Sequence, residues 1–220
     1  MTVPRSDFLK EKLKVYFISG TNNVTKPLPK VLKEAISGGV TLFQFREKGV
    51  GSLIGDEKAE MATTLKQICH AHHIPFIVND DVDLAIKVDA DGIHVGQKDA
   101  NAYNVRQQIS EKMILGVSAH TLEEAKIAVE NGADYIGVGP MFATTSKKDA
   151  EDVCGPEMIT HMRRHGIHVP IVAIGGITAQ RTGDILRAGA DGVSLISAIA
   201  SAPSAKQAAA EFQRECKRDS

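Results

Sequence analysis

Gln44, Arg46 and Lys48 alternate along one short segment, so in an extended chain their side chains share a face. An amide, an arginine fork and a mobile ammonium on one face suit a polyanion such as a pyrophosphate. The same residues also fit a solvated Arg-Glu-Lys surface cluster. Asn79-Asp80-Asp81 follows the apolar run Phe76-Ile77-Val78, and Asp99 follows Gly96-Gln97-Lys98. A carboxylate from Asp80-Asp81 and that of Asp99, on neighbouring loops, could share a Mg²⁺, a hard ion that takes oxygen ligands and retains waters. Each could instead cap the helix that follows it. Thr144-Thr145-Ser146-Lys147-Lys148 carries hydroxyls and ammonium groups on a long loop, which suits a second anion, a closing segment or a plain polar loop. Gly175-Gly176 and Ser197 each come directly after an apolar run, where backbone N–H groups and a helix start can cradle a phosphate.

Cys69-His70-Ala71-His72-His73 looks metal-like, but its place at a helix end is better explained by the attraction of His for a helix C-terminus. His94 and His120 could line the same mouth as the charged residues. There is no Ser-His-Asp chain order with a nucleophile elbow, and no G-x-G-x-x-G dinucleotide fingerprint. Two anion sites, paired carboxylates and no evident nucleophile suit the ionisation of a pyrophosphate ester and capture of the resulting cation. Such chemistry needs positioning and charge neutralisation more than a strong base.

For these residues to meet, the apolar runs that precede them must be parallel strands ending on one side. The pattern predicts strands at 15–18, 42–45, 76–78, 92–95, 114–118, 135–138, 169–174 and 192–196. Helical spacing falls between them at 28–36, 56–73, 82–88, 102–110, 121–131, 156–165 and 178–187, with a closing helix at 205–214. Thr121 is placed to cap its helix, with Glu124 at the matching capping-box position, and Thr178 to cap another. Eight strand–helix units in 220 residues predict an α/β protein made of a single (β/α)₈ TIM barrel spanning 1–220, with its site at the C-terminal face of the strands. Ala90-Asp91-Gly92, Gly132-Ala133-Asp134 and Gly189-Ala190-Asp191 each precede a predicted strand, so they read as structural turns at the opposite face.

Bulk composition narrows the partners. Lys+Arg is 26 and Asp+Glu is 27, a balance that argues against a nucleic-acid protein. The three cysteines, Cys69, Cys154 and Cys216, are far apart and read as reduced thiols of a cytoplasmic protein. No signal-peptide h-region or membrane-length apolar stretch is visible, so no membrane partner is expected. The expected partners are small phosphorylated molecules, and the expected state is a monomer or small homo-oligomer.

Taken together, these residues resemble the thiamine-phosphate synthase family over nearly the whole chain. The likeness rests on Gln44-Phe45-Arg46-Glu47-Lys48, Val78-Asn79-Asp80, 91–99, and Gly116-Val117-Ser118-Ala119-His120. It continues in 137–144, Ile174-Gly175-Gly176-Ile177 and Gly192-Val193-Ser194-Leu195-Ile196-Ser197. The resemblance implies a transferase that condenses 4-amino-5-hydroxymethyl-2-methylpyrimidine pyrophosphate with 4-methyl-5-(2-phosphoethyl)thiazole. The products would be thiamine monophosphate and pyrophosphate, formed by loss of pyrophosphate and attack of the thiazole nitrogen.

The resemblance further implies that the Gln44–Lys48 segment, Phe45 and Glu47 included, binds the pyrimidine pyrophosphate together with Asn79, Ser118 and Lys147. Arg46, Lys48, Ser118 and Lys147 would be catalytic, and Asp80 and Asp99 would hold Mg²⁺. Thr144, Thr145, Ser146, Gly176, Ile196 and Ser197 would hold the thiazole phosphate. The family loop often reads Pro-Thr-x-Thr-Lys, whereas this chain has Ala143 and Ser146 at the first and fourth positions, a departure that bears on loop closure. A thiazole tautomerase on a similar barrel needs neither pyrophosphate clamp nor Mg²⁺ pair, and its family tends to carry His where this chain has Pro140. A non-catalytic phosphate-ligand sensor could lose the carboxylates that persist here.

Overall fold

A computed structural model describes residues 5–144 and 152–218 of the chain. Eight parallel strands close into a barrel in chain order, β1 pairing with both β2 and β8. They are β1 (Val15–Ser19), β2 (Leu42–Phe45), β3 (Phe76–Asn79), β4 (Gly92–Val95), β5 (Ile114–Ala119), β6 (Tyr135–Val138), β7 (Ile171–Ile174) and β8 (Gly192–Leu195). The helices are α1 (Arg5–Lys12), α2 (Leu28–Ser37), α3 (Gly55–Ala71), α4 (Val82–Lys87), α5 (Ala102–Gln108), α6 (Leu122–Glu130), α7 (Glu157–Arg164), α8 (Ala179–Arg187), α9 (Ser197–Ala200) and α10 (Ala205–Arg218). The predicted architecture is therefore the observed one. Two helices leave no clear trace in the sequence pattern. Arg5–Lys12 is almost uniformly polar, with Leu9 as its one buried residue, and α9 is only four residues long.

The strands lack polar alternation because both of their faces are covered. One face looks outward to the helices: Phe17, Phe43 and Phe76 lie side by side there, with ring centroids 5.5 and 6.2 Å apart. The other face fills the barrel with Tyr16, Leu42, Ile77, Ile114, Tyr135 and Val172. This period of two decides which residues of each strand can reach the mouth.

The repeated Asp turns form a built device at the lower face. Asp91, just before β4, accepts the N–H of Phe76 at the start of β3, at 2.7 Å. Asp134, before β6, accepts the N–H of Leu115 in β5 at 2.8 Å, and Asp191, before β8, accepts that of Ile171 in β7 at 2.8 Å. A basic side chain from the helix preceding β3, β5 or β7 completes each unit: His70 on Asp91, Arg106 on Asp134 and Arg163 on Asp191. Thr41 replaces the aspartate before β2, accepting the N–H of Val15 at 2.9 Å. His70 is thus accounted for by Asp91, and no group of three or more metal-type ligands occurs among the described residues.

Asp191→Ala removes the acceptor for both Ile171 N–H and Arg163, whose Nη2 lies 2.7 Å from it. The expected cost is about 3 kcal/mol, since the part-buried Ile171 N–H loses its acceptor and Arg163 keeps only the carbonyls of Gly189, Ile167 and Val169. Thermal unfolding should shift down by roughly 6–12 °C for a domain of this size. A shift below about 2 °C would show that the carboxylate contributes little net stability.

Candidate active site

The upper ends of the strands surround an open cavity. One wall comes from the β2, β3 and β4 loops, with Arg46, Lys48, Asn79, Asp80 and Asp99. Across the barrel, the other wall comes from the β7 and β8 loops, with Gly175, Gly176, Ile196 and Ser197. Ser118 and Thr144 also line it. Residues from separate strand ends all around the barrel are thus gathered at one face.

On the first wall, Lys48 Nζ lies 2.8 Å from Asp80 Oδ2 and 3.1 Å from Asp99 Oδ1. The two carboxylates therefore converge on one point. The Asp80 hydrogen bond, with Asp99 adding to it, holds the Lys48 ammonium above its ordinary pKa despite partial burial. Burial, with Asp99 close by, pushes the Asp80 carboxyl up against the opposing pull of Lys48. Burial also acts to raise Asp99, but its hydrogen bonds with Asp80, Lys48 and the Gly96 N–H outweigh it and keep that carboxyl low.

Neither aspartate caps a helix. Asp81 caps α4, accepting the Leu84 N–H at 3.0 Å, and Asn101 caps α5, accepting the Tyr103 N–H at 2.9 Å. Asp99 instead accepts the Gly96 N–H at 3.1 Å, which turns it toward the mouth. Asp80 sits at φ 62°, in the left-handed region that Asp tolerates better than most residues. That backbone turn directs its side chain back to Lys48.

The β2 segment divides by parity. Arg46 and Lys48 reach the cavity, whereas Phe45 is 1 % exposed and packs on the outer face among the helices. Phe45 cannot line the mouth, because alternate residues of a strand point to opposite sides. Glu47 is likewise turned away. Its carboxylate accepts the N–H and hydroxyl of Thr21 and the N–H of Leu53, tying the β1 and β2 loops together and holding Arg46 and Lys48 on either side. Gln44 faces inward but lies below the cavity, donating to Tyr16 Oη at 2.6 Å. Phe45, Glu47 and Gln44, which the resemblance assigns to the pyrimidine pyrophosphate, are found in outer packing, loop anchoring and a contact with Tyr16.

On the second wall, Gly175 and Gly176 have φ values of 100° and 62°. A Cβ at Gly176 would come within 2.6 Å of Ala143 O, so this turn is closed to larger residues. Ile196 precedes α9, whose first residue is Ser197. First-turn N–H groups of a helix have no intrahelical acceptor, so they can receive an anion. Thr145, Ser146 and Lys147 lie outside the described residues.

Some lining residues are not among the candidate site residues. Gln97 donates to Ser118 O at 2.6 Å and joins the β4 loop to β5. Gly139 and Pro140, joined by a cis peptide bond, line the floor near Gly175. Thr121 does cap α6, but Glu124 receives the His120 N–H, not the reciprocal Thr121 bond of a capping box. Thr178 stands at the start of α8 without a side-chain cap bond among the described residues.

These features define the class: a closed (β/α)₈ barrel whose mouth has a cation-and-carboxylate wall facing a glycine-and-helix-start wall. Within that class, the family described as thiamine monophosphate synthase matches residues 15–199, and the chain belongs to this family. It is 60 % identical over 205 residues to a thiamine-phosphate synthase of Geobacillus thermodenitrificans, covering 93 % of this chain and 92 % of that one. It is 54 % identical over 212 residues to a thiamine-phosphate synthase of Bacillus cereus, covering 96 % of each. Among solved structures, a thiamine phosphate pyrophosphorylase from Pyrococcus furiosus matches with a TM-score of 0.86 at 34 % identity, over 96 % of this chain and 98 % of that one.

Proposed function

We propose that this protein is a transferase that forms thiamine monophosphate from the pyrimidine pyrophosphate and the thiazole phosphate. The supporting observation is the two-walled cavity, with Arg46, Lys48, Asp80 and Asp99 facing the Gly176 and Ser197 turns. Family membership supplies the substrate class, which the geometry could not.

The pyrophosphate lies against Arg46, Lys48 and Asn79, and the thiazole phosphate against Gly176, Ser197 and Thr144. The bond from the pyrimidine methylene carbon to the pyrophosphate oxygen breaks first, and the electron pair leaves with pyrophosphate. Arg46 and Lys48 neutralise the charge that builds on that oxygen, which lowers the barrier without any proton transfer. The thiazole nitrogen, held across the cavity by its phosphate, then forms the new carbon–nitrogen bond. Holding both partners in one cavity converts the second step into an effectively unimolecular one. Lys147 joins the pyrophosphate side in this reading, and Thr145, Ser146 and Ile196 the thiazole phosphate side.

Asp80 and Asp99 suit a hard divalent cation, because two carboxylate oxygens converge on one point beside the pyrophosphate wall. Mg²⁺ held there, completed by waters and substrate oxygens, would supply further charge neutralisation. In that state the Lys48 ammonium would turn from the carboxylates to the pyrophosphate.

Incubation with both heterocyclic phosphates should yield thiamine monophosphate and pyrophosphate in equal amounts. Chelation of divalent ions should suppress both products, and Mg²⁺ should restore them. Folded protein that forms neither product would overturn the synthase reading and direct testing to thiazole isomerisation. The expected ligands are small phosphorylated molecules, and no helix among the described residues is long and apolar enough to cross a membrane.

A further inference from the structure

Beneath the cavity, side chains from five strands form one continuous hydrogen-bonded chain. Gln44 Nε2 donates to Tyr16 Oη at 2.6 Å, and the Tyr16 and Tyr135 hydroxyls lie 2.8 Å apart. Tyr135 Oη is 3.0 Å from His94 Nδ1, and His94 Nε2 is 3.0 Å from Ser118 Oγ. Both tyrosines are fully buried, and Gln44 and His94 nearly so, while Ser118 opens to the cavity. The barrel makes room for these rings by omitting side chains. A Cβ at Gly116 would fall 2.2 Å from Tyr135 Cζ, and one at Gly137 would fall 3.2 Å from His94 Cε1.

The donor at the Gln44 end gives the chain a direction. An amide nitrogen only donates, so Tyr16, accepting from it, directs its own proton to Tyr135. Tyr135 then directs its proton to His94 Nδ1. A neutral imidazole that accepts at Nδ1 carries its proton on Nε2, and donates it to Ser118. The Ser118 hydroxyl proton is then directed at the cavity. Run the other way, the chain would present Ser118 lone pairs to an anionic ligand. Burial raises the pKa of both phenols, so each keeps the proton that the relay requires.

We propose that Tyr16 and Tyr135 are positioning residues, which act through His94 to fix Ser118 as a hydrogen-bond donor to the pyrimidine pyrophosphate. The role rests on the synthase reading above, whereas the tautomer of His94 can be observed without any substrate. Gln44, buried against Tyr16, is the group that sets the direction.

The test is a two-bond ¹H–¹⁵N spectrum of the histidine rings in the full chain, combined with steady-state coupling kinetics. Wild type should show His94 as a single Nε2–H tautomer. Tyr135→Phe removes the donor to Nδ1 while keeping the ring, and should give mixed tautomers. It should also lower kcat about 10-fold, the size expected for one hydrogen bond, with both KM values within ~3-fold. In a Ser118→Ala background the same substitution should lower kcat less than ~2-fold further, because both changes break one pathway.

A wild-type Nδ1–H tautomer, an unchanged tautomer in Tyr135→Phe, or a full 10-fold loss in the Ser118→Ala background would each overturn the relay. Gln44→Met provides a second reading should Tyr135→Phe fail to fold. It removes the directing donor, so a mixed tautomer is expected, and a single retained Nε2–H form overturns the proposal. A wild type with the expected tautomer but no coupling activity would overturn the synthase reading and the positioning role with it. An active wild type with an unaffected Tyr135→Phe would overturn the relay alone.

Discussion

Asp99→Ala is expected to lower kcat for coupling at least ~100-fold, the loss typical of removing one preorganised electrostatic group. Asp99 and Asp80 meet at Lys48 Nζ, at 3.1 and 2.8 Å. Losing one carboxylate leaves half of the proposed Mg²⁺ pair and pairs Lys48 with Asp80 alone. The apparent affinity for Mg²⁺ should therefore fall together with turnover. The fold should survive, because Asp99 caps no helix and its side chain is 24 % exposed. Rates measured across a Mg²⁺ titration check this directly. Near-normal turnover at saturating Mg²⁺ would remove Asp99 from the mechanism.

Ser197→Asp is expected to raise KM for the thiazole phosphate at least ~30-fold, with KM for the pyrimidine pyrophosphate within ~3-fold. Two like charges about 4 Å apart repel by about 4 kcal/mol at an effective dielectric near 20, and the bound phosphate would meet such a charge here. Each 1.4 kcal/mol is about tenfold in affinity, so even a largely screened repulsion produces the stated shift. Asp at the first position of a helix is otherwise favourable, so α9 itself should not be weakened. Separate KM values for the two substrates decide the matter. Equal increases would mean that the phosphate cradle is not at the β8 end.

Several features are legible in the chain itself because they are local. The eight strands follow from short dry runs bounded by turn residues, and their closing order follows from parallel strand–helix units. Polar residues at the strand ends mark Arg46, Lys48, Asn79, Asp80, Ser118, Gly176 and Ser197, all of which line the cavity. The three Asp turns are recognisable as structural, although their pairing with His70, Arg106 and Arg163 depends on contacts 21 to 28 residues apart.

Other features need the assembled barrel. Phe45 and Glu47 sit inside a charged motif, but strand parity and the Thr21 and Leu53 contacts turn them away from the mouth. By residue type Asp80 and Asp99 could each be a helix cap, yet Asp81 and Asn101 hold those positions. Tyr16 and Tyr135 are 119 residues apart, on strands that are not neighbours, yet their hydroxyls lie 2.8 Å apart across the barrel interior. In sequence each is one more apolar strand residue. Period and composition determine which residues face inward, since those depend on near neighbours in the chain. Which inward residues touch is decided by closure of the barrel and by the omitted side chains at Gly116 and Gly137, because those contacts exist only when distant strands are brought together.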